Sequence, residues 1–185
     1  MKHTLLVSVS LLMLCVGLCK AGAWVNTSAE SLQRLTQRLE QAKWIAAGSK
    51  SPTRVVYIFT DPNCPYCNDL WQAMQSARAP DVQVRYLLVA VINDESRGKD
   101  AAILESKDPL ASFEKNERTF ASGGIVAKRT WQPATNEAIA RDEALMAELR
   151  ILGTPGLVYW DEQHKPRIFA GMPDSEQLRM MVGRH

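Results

Sequence analysis

The sequence offers no segment able to cross a bilayer. The apolar run Leu5 to Leu18 falls short of the roughly 18 to 20 residues a spanning helix needs, and no later stretch is apolar for longer. It is also poor in metal-ligating residues, with three histidines and four cysteines in 185 residues. Nor is there a surplus of charge: 22 Lys and Arg face 20 Asp and Glu, a balance that argues against nucleic acid as a partner. Internal repeats and low-complexity tracts are absent too, which removes solenoids and extended tails. What remains is a chain of the length of one domain with a core of ordinary size.

The N-terminus reads as a processing segment. Lys2 supplies positive charge, the apolar run follows, and Ala21-Gly22-Ala23 has the small-residue pattern of a cleavage site. We expect residues 1–23 to be a signal peptide, the mature protein to begin at Trp24, and the product to be soluble and exported. A lipid anchor on Cys19 is disfavoured by the bulky Leu18 before it. Cleavage removes Lys2 and Lys20, bringing the formal charge from +2 to 0. It also removes Cys15 and Cys19, so Cys64 and Cys67 are the only cysteines left.

Thr27 to Glu30 has the spacing of a capping box, and Leu32, Leu35, Leu39, Ala42 and Ile45 recur at helical intervals. The pattern predicts an amphipathic helix ending near Gly48, then a loop through Thr53. Val55 to Thr60 is β-branched and aromatic, as in a strand buried on both faces. Asp61-Pro62-Asn63 stops it, and Pro65 sits near the start of a helix with Cys67, Leu70, Trp71 and Met74 on its inner face. That helix ends by Ala79-Pro80, and Val82 to Ile92 is a second apolar strand, giving a right-handed βαβ unit with parallel strands.

From Ser96 to Leu152 the pattern is helical: Ala101 to Leu104, a helix capped by Asp108-Pro109, and a third over Glu137 to Leu152, separated by Ser122-Gly123-Gly124 and Gln132-Pro133. Leu157 to Trp160 and Arg167 to Ala170 read as an antiparallel hairpin, and Asp174 caps a last helix through Leu178, Met181 and Val182.

Chemistry concentrates at Cys64-Pro65-Tyr66-Cys67. Two cysteines three apart at a strand-to-helix junction share one face of the first helical turn. The unpaired N–H groups and positive dipole end there lower a thiol pKa into the range of about 3.5 to 7.5. Cys64, nearer the end, is the expected nucleophile. Cys67, one turn further in, is expected to resolve the mixed disulfide.

Two plainer readings are weaker. Zinc would want about four ligands, and this pair with His164 and His185 is all the mature chain supplies. A purely structural disulfide closing so short a loop would constrain little of the unfolded chain. Thr154-Pro155, after a helix and before a hairpin, completes the constellation. A cis Pro155 would lie beside Cys64 and leave backbone groups free to pair with an extended client segment.

Thr60 to Cys67, Leu70-Trp71-Gln72, Leu87-Leu88-Val89, Ala101 to Pro109 and Gly153-Thr154-Pro155 together resemble the DsbC/DsbG family of periplasmic thiol:disulfide interchange proteins, its DsbG branch most closely. The resemblance implies an α/β thioredoxin fold with a helical insertion over about 94–152, Cys64 as attacking and Cys67 as resolving cysteine of a redox-active disulfide, Pro65 and Tyr66 tuning the pair, Pro155 as the cis-proline, and Thr154 adjusting the thiolate. It implies exported, cysteine-bearing client proteins and a DsbD-like membrane reductase as partner; the residues themselves give no sign of an organic or metal cofactor.

Two departures stand out. Family members carry an N-terminal dimerisation domain, whereas residues 24–53 look like the family's linker helix alone, ahead of a catalytic domain over 54–185; a monomer is therefore favoured over a dimer. Ile58 also occupies the position six before the nucleophile, where thioredoxin has a buried Asp, so proton removal from Cys67 needs water or another group.

The tryptophans are expected in the core or at its boundary. Tyr66 and Met172-Pro173 are candidates for client contact, and neither His164 nor His185 has a catalytic role. Three functions fit these residues: a reductase or isomerase acting on disulfides or cysteine sulfenic acids, an oxidant that donates its disulfide, and a binding module that uses the pair as a redox latch.

Overall fold

The computed structural model describes residues 29–183; the expected signal peptide, the capping residues Thr27 and Ser28, and His185 lie outside them. Helix α1 spans Ala29–Gln41, and strand β1 follows at Trp44–Gly48. Strand β2 (Arg54–Thr60), helix α2 (Pro65–Ala77) and strand β3 (Val82–Leu88) form the expected unit, with β2 and β3 parallel. Helices α3 (Ser96–Leu104), α4 (Pro109–Arg118) and α5 (Pro133–Glu148) occupy the stretch expected to be the helical insertion. The chain closes with strands β4 (Gly156–Trp160) and β5 (Pro166–Ala170), paired antiparallel, and helix α6 (Ser175–Val182).

The five strands form one mixed sheet in the order β1-β3-β2-β4-β5. Alternation along β2 sends Val56 and Ile58 to one face and Tyr57 and Phe59 to the other. The first face packs on Leu70, Trp71 and Met74 of α2, Phe113 of α4, and Leu178, Met181 and Val182 of α6. The second packs on Leu39 of α1 and on Leu145 and Met146 of α5. Burial on both faces is why β2 reads as a continuous apolar run.

The structure corrects the sequence reading in four places, the first being α3, which begins at Ser96 and not at Ala101. The expected first helix stops at Gln41, and Trp44–Gly48 is an edge strand paired antiparallel with β3, Trp44 opposite Leu87 and Gly48 opposite Gln83. The region before Thr53 is thus part of the sheet as well as a helix. Arg85 of β3 lies 4.4 Å from the centre of the Trp44 ring, a cation–π contact across that pair. Gly48 ends β1 at φ +94, and a Cβ there would come within 2.6 Å of the Val82 carbonyl, so both conformation and space ask for glycine. Helix α5 begins four residues before Glu137, at Pro133 in its first turn, and ends at Glu148 instead of Leu152. Strand β3 ends at Leu88, short of Ile92, because the N–H groups of Val91 and Ile92 turn to a side chain, as described below.

The caps at Asp108 and Asp174 form as expected. Asp108 accepts from the Ala111 N–H, and Asp174 and Gln177 complete a capping box.

Candidate active site

Strand β2 delivers the chain to Asp61, and the turn Asp61-Pro62-Asn63 aims it into α2. Cys64 is the N-cap of that helix and Pro65 its first residue. Both cysteines are free thiols and both are buried. The Cys67 N–H, which also reaches the Cys64 carbonyl at 3.1 Å, donates to the Cys64 sulfur at 3.3 Å, so a backbone donor of the first turn faces the sulfur itself.

The peptide between Thr154 and Pro155 is cis, as expected. The loop lies against the cysteines: the Cys64 thiol donates to the Thr154 carbonyl at 3.3 Å. Thr154 Oγ1 is buried without a hydrogen-bond partner among the described residues. Tyr66 is 62% exposed, and Met172 is also exposed. Trp44, Trp71, Trp131 and Trp160 are buried or half-buried, as expected, and His164 lies in an exposed turn. No group of three or more potential metal ligands occurs among the described residues.

The Cys64 thiol is lowered from an ordinary 9.0 to about 6. The largest cause is the hydrogen bond from the Cys67 thiol; the Thr154 hydroxyl, once the sulfur is ionised, and the Cys67 N–H add to it, while burial and the negative Asp61 oppose it. Cys67 moves the other way, raised by burial first and then by its bond to Cys64. The pair is therefore split into a ready thiolate and a thiol that keeps its proton.

A network of buried polar side chains behind the cysteines is the part that sequence reasoning missed. Asp61, wholly buried, accepts from the backbone N–H groups of Asn63 at 2.8 Å, Val91 at 2.7 Å and Ile92 at 2.9 Å, and from the Ser96 hydroxyl at 2.8 Å. Lys99 of α3, buried, donates to Asn63 Oδ1 and to the Gly123 carbonyl, each at 2.6 Å. Asn116 of α4 donates to the Pro62 carbonyl at 3.0 Å. Asn68, directly after Cys67, donates to Glu117 Oε2 at 2.9 Å and to the Glu117 carbonyl at 2.8 Å. Gly124, at φ +73, lets its backbone approach where a Cβ would meet Asn116 Oδ1 at 2.3 Å.

The helical insertion thus holds the residues on both sides of the cysteine pair. A trace of this was present in the sequence: Asn116 and Glu117 follow Phe113 by three and four positions, so polar residues occupy the inward stripe of α4.

Beside Thr154, a cavity of about 320 Å³ is lined by Val91, Ile92, Met146, Ile151 and Leu152. It opens next to the Cys64 sulfur's hydrogen-bond partner.

Residues 39–184 match the model of the thioredoxin-like domain family. The thiol:disulfide interchange protein DsbG of Pseudomonas aeruginosa is 33% identical over 168 residues, covering 85% of this chain and 66% of that protein. DsbG of Escherichia coli is 36% identical over 155 residues, covering 82% of this chain and 61% of that protein. The chain spans less than two thirds of the length of either relative. A solved periplasmic thioredoxin-like protein from Salmonella enterica serovar Typhimurium superposes with a TM-score of 0.62 at 20% identity, over 78% of this chain and 91% of that one, which is a likeness of fold.

Proposed function

The chain belongs to the thioredoxin-like domain family and is related within it to DsbG, and from that premise we propose that it is a periplasmic thiol:disulfide oxidoreductase working through Cys64 and Cys67. The observation that carries this reading is geometric: two free thiols on the first turn of α2, the Cys67 N–H and the cis Thr154-Pro155 loop both meeting the Cys64 sulfur, an arrangement in which Cys64 is brought down to about 6 and Cys67 pushed up. In the reductive direction the Cys64 thiolate attacks a client disulfide, forming a mixed disulfide and releasing one client sulfur as thiolate. Cys67 then loses its proton and attacks the Cys64 sulfur, so the client leaves reduced and the pair is oxidised by two electrons.

A cysteine sulfenic acid on a client serves equally. Cys64 displaces water from it to give the same mixed disulfide, which Cys67 resolves. This branch asks only for one oxidised cysteine on the client. Thr154 supports the first step: its unpaired buried hydroxyl is available to donate to the sulfur once Cys64 ionises and can no longer donate to the carbonyl. Pro65 and Tyr66 complete the motif, Pro65 fixing the helix start and Tyr66 offering an exposed ring to clients. Returning the pair to dithiol in an oxidising compartment calls for a membrane reductase of the DsbD kind.

A second reading is favoured by the same acidity. A thiolate as stable as that of Cys64 is a good leaving group, which makes the oxidised pair a disulfide donor. The in vivo redox state separates the two. Acid quenching followed by alkylation of free thiols is expected to find Cys64 and Cys67 mostly reduced; a mostly oxidised pair transfers the assignment to the donor.

A further inference from the structure

Glu117 is 3% exposed, yet nothing in the thiol chemistry above uses it. Its carboxylate is held from both sides: Asn68 Nδ2 donates to Oε2 at 2.9 Å and Asn116 Nδ2 to Oε1 at 3.0 Å. Two amide donors on the two oxygens suit the ionised form, which accepts and does not donate. Burying such a charge is costly unless it is paired, and Lys99, itself buried, stands as the nearby cation.

Both groups are tied to the cysteine segment. Asn68 follows Cys67 and its N–H donates to the Cys64 carbonyl at 3.2 Å, while Lys99 holds the side chain of Asn63, which precedes Cys64. A buried negative charge and a buried positive charge thus flank the reactive turn from the insertion.

We propose that Glu117 is a positioning residue that sets how strongly the Cys64–Cys67 pair oxidises, with Lys99 as its counter-cation. The charge acts through the low-dielectric interior on the sulfur. An ionised Glu117 disfavours the Cys64 thiolate, holds the dithiol less stable relative to the disulfide, and so makes the pair more reducing. On the Glu117 side, burial together with the charge on Cys64 raises the carboxyl, against the two asparagines and Lys99. The other titratable groups involved are Asp61, on the loop before α2, which also disfavours the Cys64 thiolate, and Tyr86 of β3, a buried neutral phenol raised by desolvation that feels Glu117. This inference rests on the pair being the reactive centre, but its test reads thiol acidity, independently of any client turnover.

The experiment is the titration of the Cys64 thiolate by its absorbance near 240 nm in the reduced full chain, beside the equilibrium of the pair with glutathione. Glu117→Gln is expected to lower the midpoint and to shift the glutathione equilibrium toward the dithiol. Lys99→Met, removing the opposite charge, is expected to leave the midpoint in place or raise it. A Glu117→Gln midpoint at or above the unmodified one overturns the proposal. So does a Lys99→Met midpoint that falls, since loosening alone then accounts for both.

If Glu117→Gln does not fold, the reciprocal measurement decides. Cys64→Ser removes the thiolate without touching Glu117, and carboxyl-carbon NMR is expected to find the Glu117 midpoint lowered. An unmoved Glu117 midpoint refutes the coupling.

Discussion

The Thr154 carbonyl accepts the Cys64 thiol at 3.3 Å across 90 residues of sequence. One hydrogen bond therefore joins the loop that would receive a client's backbone to the sulfur that would attack it, and it is lost when Cys64 ionises.

The Cys67 thiol is the largest cause of the low Cys64 pKa. Replacing it by alanine is expected to move the Cys64 titration from about 6 back toward the ordinary thiol range. The same variant should accumulate mixed disulfides with clients, visible on non-reducing gels, while Cys64→Ala should form none. A Cys67→Ala protein whose midpoint stayed near the unmodified value would contradict the assigned cause.

The same shift makes the stability of the reduced protein depend on pH. The folded value is about 6 against an ordinary 9.0, so between them the unfolded chain binds more protons than the folded one, and stability rises with pH across that window. The contribution is complete above the ordinary thiol value and disappears as pH falls through the folded one. Urea denaturation of the reduced protein against Cys64→Ser should show a difference that grows from about pH 6 to 9.

Asp142 of α5 behaves in the opposite sense. Burial raises it from 3.8 to about 7, against the Lys43 backbone N–H and Arg141. Here the folded protein holds the proton more tightly, so stability is fully present below the ordinary carboxylate value and is lost as pH rises through about 7. Asp142→Asn is expected to remove this loss, worth up to about 4 kcal/mol by the size of the shift, and to flatten the pH dependence of Tm between pH 4 and 7.

Asp61 is the point where the reactive turn, the end of β3 and α3 meet. Asp61→Ala strands the Asn63, Val91 and Ile92 N–H groups together and is expected to cost about 3 kcal/mol or more, at about 1 to 3 kcal/mol for each unsatisfied buried donor. Thermal unfolding checks the size. A loss under 1 kcal/mol would mean that water replaces the carboxylate at no penalty.

Much of the fold was legible because its signals are local. The β-branched run of β2, the Asp caps of α4 and α6, and the breaks at Gly123-Gly124 and Pro133 each act within a few residues. The strand β1 was not legible, because Ala42 and Ile45 continue the three- and four-residue spacing of Leu32, Leu35 and Leu39, and Ala46-Ala47 carries little strand propensity of its own. Its pairing with β3, about 40 residues further along the chain, outweighs the helical pattern. Likewise the early end of β3 follows from Asp61 drawing off two backbone donors, a contact that no periodicity records.

The sequence by itself determined the candidate pair and its surroundings at short range: two cysteines on one turn, a proline to open the helix, and the Thr154-Pro155 loop. These follow from spacing and from the geometry of a helix end. Only the tertiary structure decided what charge surrounds the pair. Asp61, Lys99 and Glu117 are charged residues that a sequence assigns to the surface, and burial gives their charges reach. It does so because the insertion folds back over the N-terminus of α2 and excludes the water that would otherwise screen them.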